Sequence, residues 1–250
     1  MNLLKASIFI LILTLNYFSQ YPIYRYKVSS LEETKWYYRG REIISTDIDK
    51  ISVIISFEDQ VGNDLIFNLS ILNQSSKIVD IDPSKIFLKV QKTFPADYYG
   101  DDKVVYNSID PEQKLNLLNK QLRNLNSQKQ TTDMINTFVC LADLVKDISE
   151  LNKEKSPDEL YAENIEDQKR SQMIASQEIY YQANSNYLTD SKFYWENMVL
   201  RRTILYPEDE ISGYIHIPLD ERAREISICV LIDGNEFSFK YSSNPLINKF

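Results

Sequence analysis

Residues 48–91 alternate between apolar and polar with a period of two. Ile51, Val53, Ile55 and Phe57 point one way and Ser52, Ser56 and Glu58 the other, with Ile54 as the exception. A turn at Asp59–Asp64 leads to a second apolar set, Leu65, Phe67, Leu69 and Ile71, and Asn73-Gln-Ser-Ser76 turns the chain again before Ile86, Leu88 and Val90. This pattern predicts a meander of half-buried strands. Near residue 108 the period changes. Asp110-Pro111-Glu112-Gln113 carries the signature of a helix start, and Leu115, Leu118, Leu122 and Leu125 follow at spacings of three and four. After a polar break at Ser127–Thr132, a second set runs through Met134, Phe138, Leu141, Val145 and Ile148. Ser156-Pro157-Asp158-Glu159 is a capping box, predicting a third helix to about Gln182, with a short fourth over Asp190–Met198. From about residue 200 the period is two again: Ile211, Ile215 and Ile217, then Ile226, Ile228, Val230 and Ile232, a hairpin signal at Asp233-Gly234, and Phe237, Phe239 and Tyr241.

Strands, then helices, then strands predict a mainly β chain with a helical insertion, an α+β arrangement. Neither strand group has enough partners alone, so one domain over 21–250, with helices inserted at about 108–199, is favoured over two domains joined by a helical linker. The tract 21–46 is rich in Tyr and basic residues and offers one irregular edge strand near Trp36–Arg39 or Glu42–Thr46.

The first twenty residues add an address. A basic start through Lys5, an apolar run from Ala6 to Phe18 and the polar Ser19-Gln20 have the order of a secretory signal peptide. The run is shorter than the roughly 20 residues a membrane-spanning helix needs. Cleavage at Ser19 or Gln20 and retention as a loose anchor both fit. A secreted or periplasmic location follows, with no membrane contact after cleavage.

The formal net charge is −8 and the longest basic run is Arg201-Arg202, which argues against nucleic acid and anionic membrane partners. Of the two cysteines, Cys140 lies in helix-like and Cys229 in strand-like sequence. Export would permit them to pair, but two isolated thiols are expected.

Two stretches, Asn68–Ser76 with Ile78–Pro83, and Thr203–Pro207 with Gly213-Tyr-Ile-His-Ile-Pro218, resemble the small immunoglobulin-like domains of exported bacterial proteins. The resemblance covers about a third of the chain, and the helical block departs from it. It implies an immunoglobulin-like antiparallel β-sandwich of about 7–8 strands in an envelope or extracellular setting, and no reaction.

Catalytic patterns are sparse. His216 is the sole histidine, and its position opposite Ile215 and Ile217 predicts a solvent-facing side chain. The five glycines, at 40, 62, 100, 213 and 234, are too dispersed for a phosphate loop. Asp97–Asp102 and Glu208–Glu210 gather hard oxygen ligands without the order of a calcium loop. No enzyme activity, cofactor, metal or catalytic residue is therefore expected. The reading is a non-catalytic binding or assembly module whose partner is another envelope protein. The alternatives are a sandwich that binds carbohydrate or a small ligand through surface Tyr and Trp36 or Trp195, and a carboxylate-dependent hydrolase.

Overall fold

The computed structural model describes residues 24–29, 34–93, 104–150, 156–219 and 223–245. The proposed export signal at 1–20 and the acidic stretch Asp97–Asp102 lie outside them. The chain divides into two compact units, one of strands up to Asp110 and from Leu200, the other Pro111–Val199.

Among the described residues twelve strands build the first unit: β1 (Tyr24–Val28), β2 (Thr34–Tyr38), β3 (Arg41–Ile48), β4 (Ile51–Val61), β5 (Asp64–Asn73), β6 (Val79–Ile81), β7 (Ile86–Thr93), β8 (Val105–Asn107), β9 (Thr203–Leu205), β10 (Glu210–Pro218), β11 (Ala223–Ile232) and β12 (Asn235–Pro245). They form two five-stranded sheets, ordered β1-β12-β11-β7-β8 and β10-β5-β4-β3-β2, and a ribbon of β6 and β9. Every described pairing is antiparallel. The C-terminal strands enter both sheets: β10 joins β5, while β11 and β12 lie between β7 and β1. Neither half of the strand set could close a core without the other.

The alternation dictates which faces meet. Val53 and Ile55 on β4, Leu65, Phe67, Leu69 and Ile71 on β5, and Ile226, Ile228, Val230, Phe237 and Phe239 on β11 and β12 are essentially sealed from solvent. Aromatic rings bridge the two sheets. Tyr26 packs edge-on against Phe57 at 5.7 Å, and Phe67 tilts onto Tyr241 at 5.3 Å. Two-residue turns with both φ positive, Arg39-Gly40 and Asp233-Gly234, close the β2–β3 and β11–β12 hairpins. The basic tract thus supplies three strands, β1 to β3, where the sequence offered one.

One end of the strand unit is organised by Asn73. The turn residue of the sequence is fully buried. Its Nδ2 faces the carbonyls of Lys77 (2.8 Å), Leu205 (3.2 Å) and Tyr206 (3.1 Å), and its Oδ1 accepts from the Ser75 hydroxyl at 2.6 Å. Its backbone N–H reaches Asp209 O at 3.0 Å, and its carbonyl accepts from Glu208 N at 2.7 Å. One amide therefore joins the β5–β6 turn to the β9–β10 loop, 132 residues away. Nearby, a Cβ at Gly213 would lie 2.7 Å from Leu200 N. The bare backbone of β10 lets Leu200 N donate to Tyr214 O at 2.8 Å.

The second unit is two long helices, α1 (Pro111–Glu150) and α2 (Pro157–Asn197), of 40 and 41 residues. They hold about as many residues as the strands, so helix and strand are balanced rather than β predominating. The four helices read from the sequence are two, because neither segment contains a glycine, and proline occurs only at the first turn. A polar stretch such as Ser127–Thr132 lowers amphipathicity without breaking the hydrogen-bond ladder. The Ser156 capping box is present: the Ser156 hydroxyl accepts from Glu159 N at 3.3 Å, and the Glu159 carboxylate accepts from Ser156 N at 2.8 Å. No described helix is long and apolar enough to cross a membrane.

Replacing Asn73 by Ala strands one buried and two part-buried carbonyls and should lower stability by about 2–4 kcal/mol. Gly213→Val should destabilise comparably by pushing Leu200 off β10. Urea denaturation of each variant measures both, and a change under about 0.5 kcal/mol would refute the role given to that residue.

Candidate interaction surface

The helical unit is a hairpin whose seam changes chemistry along its length. In the half nearest Pro111, Leu115, Leu118 and Leu125 are buried and Leu122 half-buried. Leu118 and Leu125 share a groove of about 510 Å³ with Tyr187, Leu188 and Trp195 of α2. Lys114 Nζ stands 5.7 Å from the centre of the Trp195 ring. Trp195 is buried, contrary to its expected place on an exposed binding surface. Its spacing on α2 puts it in the seam with Leu188, one heptad earlier.

Beyond Leu125 the seam is mainly polar, with Val139 and the half-buried Ile174 as apolar members. Lys129 Nζ donates to Glu178 at 2.6 Å, Thr132 shares a hydrogen with Tyr181 at 2.8 Å, and Asn136 Nδ2 donates to Gln177 at 3.2 Å. The Arg170 guanidinium pairs with Asp143. Positions 129, 132, 136, 139 and 143 continue the same 3–4 spacing as the leucines, with Val139 at 40% exposure among them, so the seam itself does not rotate.

The apolar residues do rotate. Met134 lies nine residues after Leu125, about 180° around an α-helix. Phe138, Leu141 and Val145 extend that new stripe on the side opposite α2. Met134 is 60% exposed, Phe138 65%, Leu141 51% and Val145 66%. Ile135 and Leu144 flank them on either side and are also exposed. Met134, Phe138, Leu141 and Val145 of the second apolar set thus stand more than half exposed and turned away from α2, while the Ile148 side chain lies outside the described residues. Periodicity alone gives its spacing but not its side, and the nine-residue interval to Leu125 was the available signal.

The strand unit carries a second feature, a cleft of about 500 Å³ lined by Tyr26, Tyr37, Arg39, Arg41, Glu42, Phe57 and Glu58, among others. A bulge in β4 at Glu58 interrupts its pairing with β5. The Glu58 side chain is 7% exposed and pairs with Arg41 at 2.6 Å. Glu42 accepts from Val28 N at 2.8 Å and pairs with Lys35 at 3.0 Å, tying β1 to the β2–β3 hairpin. Burial alone would raise the Glu42 carboxyl. The bonds from Lys35, Val28 and Tyr37 outweigh it and hold the group below its ordinary value. Beside the cleft, Trp36, Tyr37 and Tyr38 are exposed on the edge strand β2.

Other sequence candidates fall apart. His216 is buried rather than solvent-facing. The Ile109 N–H bonds its carbonyl at 2.8 Å, so β10 has a neighbour at this point and is not a free edge. Cys140 and Cys229 are both free thiols, the first exposed on the helical unit and the second buried in β11. Lys89 and Glu236, paired at 2.7 Å, flank Cys229, and burial followed by the Glu236 carboxylate pushes its thiol up to about 11. Among the described residues no group of His, Cys, Asp or Glu is arranged to hold a metal, Glu208–Glu210 included.

Two outcomes follow. In the folded chain, a thiol reagent at pH 8 should modify Cys140 alone, with Cys229 reacting only after denaturation; equal rates would contradict the buried placement. Glu42→Gln should cost about 1–2 kcal/mol at pH 7. A lowered carboxyl contributes fully above its unfolded value of 4.5 and loses that contribution as pH falls through the folded value. The gap between native and variant stability should therefore close below about pH 4.5 in urea titrations, and a gap that widens would reverse the assignment. No protein-family model, no curated protein and no solved structure matches this chain.

Proposed function

We propose that this chain is a non-catalytic binding or assembly module of the cell envelope or extracellular space, with its helical hairpin as the contact surface. The single observation that carries the reading is the stripe Met134-Phe138-Leu141-Val145, large apolar side chains facing away from the hairpin's own seam. Exposed apolar patches of this kind mark interaction surfaces. The polar seam beneath supports the same reading. Exposed ion pairs contribute little each, so the far half of the hairpin gains little from its own packing. The export order of Met1–Gln20 supports the setting, and the two antiparallel sheets around one core support an immunoglobulin-like sandwich as the scaffold.

A second reading has its own observation. The cleft beside Trp36, Tyr37 and Tyr38 joins aromatic rings to paired Arg41 and Glu58, the mix that binds polar small ligands such as sugars. Saturable quenching of Trp36 fluorescence by glycans would favour it.

In-cell cross-linking of the tagged full chain, followed by mass spectrometry, tests the first reading and gives the mature N-terminus. A protein joined reproducibly through helical-unit lysines such as Lys120 or Lys169, and lost in Phe138→Glu, is the expected result. Cross-links confined to the strand unit, or unaltered by Phe138→Glu, would reject the hairpin as the contact surface.

A further inference from the structure

We propose that the occupant of the outer stripe on α1 is the same stripe of a second copy of this chain. This rests on the assembly reading and names its partner.

Three features of the stripe select a like partner. The first is its charge. From Met134 to Val145 the only ionisable acid or base among Asp, Glu, Lys and Arg is Asp143, and Arg170 neutralises it within the hairpin. The chain as a whole carries −8, yet two stripes can meet without like-charge repulsion. A strongly charged partner would find nothing here to pair with.

The second is symmetry. The spacing of Met134, Phe138, Leu141 and Val145 is four, three, four, and it reads the same in either direction. Two copies related by a two-fold axis, with α1 antiparallel to α1, place Phe138 against Leu141 of the second copy and Met134 against Val145 of the second copy. Each layer joins a larger side chain to a smaller one, as close-packed seams do. An isologous contact needs a surface that complements itself, and this heptad stripe does.

The third is area. Met134, Phe138, Leu141 and Val145 together expose on the order of 450 Å², and Ile135 and Leu144 on the two flanks extend this towards the roughly 800 Å² per partner of a standard-size interface. Association would convert two hairpins into a four-helix assembly with an apolar centre and the polar seams on its flanks.

Sedimentation of the purified full chain from about 1 to about 100 µM tests this. The native chain is expected to be dimeric at the upper end. Phe138→Glu with Leu141→Glu should weaken association by at least about 100-fold with helicity unchanged, because neither side chain packs within the hairpin. A native monomer at about 100 µM, or a dimer indifferent to both substitutions, would overturn the proposal. If the double variant loses helicity, a second experiment decides. In a Cys140→Ser background, Met134→Cys with Val145→Cys should oxidise to a covalent dimer, since 11 positions on one helix span about 16 Å and exclude an internal bridge. A chain that remains uncross-linked would overturn the proposal. A native monomer that still cross-links another protein in cells through α1 rejects the second copy and keeps the assembly reading; a monomer with no such cross-link rejects both.

Discussion

An α-helix buries only the face on which its apolar residues stand, and in α1 that face changes sides between Leu125 and Met134. Its first half follows the ordinary pattern of a hairpin, with leucines turned to the partner helix and Trp195 closing the seam. Its second half reverses the pattern. The seam is kept by Lys129, Thr132, Asn136 and Asp143, and the large apolar side chains stand on the opposite face. Because no glycine or proline interrupts α1, the backbone cannot turn to bring that face inward. On the proposed reading its burial comes from outside the hairpin, driven by the hydrophobic effect at about 25 cal/mol for each Å² removed from water.

The strand unit is stabilised on different terms. Its core is closed by strands from both ends of the sequence. What it requires is accurate loop placement. Asn73 fastens two connections with one buried amide, and Gly213 lets Leu200 settle against β10. Buried amide networks of this kind are costly when incomplete and specify one arrangement when satisfied. The unit also keeps its own reactive groups quiet: Cys229 lies between Lys89 and Glu236, and His216 is out of solvent.

Much of the strand unit was legible in the sequence, because one buried face per strand leaves a period of two. The faces of β4, β5, β7, β11 and β12 follow from the apolar alternation that begins at Ile51 and ends at Tyr241, and the Asp233-Gly234 turn follows from its dipeptide. The hairpin was legible at its caps, Pro111 and Ser156, but not in its number of helices. A polar interruption looks like a loop when only amphipathicity is read, whereas the helix needs only the absence of breakers. The outer stripe was visible as a spacing but not as a surface, since direction requires knowing where α2 lies. Asn73 read as a turn residue and is one, but its reach to Leu205 depends on topology that no local pattern carries. His216 was misplaced for the same reason: alternation assigns a face, and whether that face is open depends on what the topology brings beside it.

The central claim is that the far half of α1 is covered on its outer face. Hydrogen–deuterium exchange of the full chain, followed by mass spectrometry at low and high protein concentration, tests it most directly. The account predicts that amides of residues 134–145 exchange more slowly as concentration rises, while those of β4 and β5 do not change. Exchange across 134–145 that is fast and independent of concentration would contradict it.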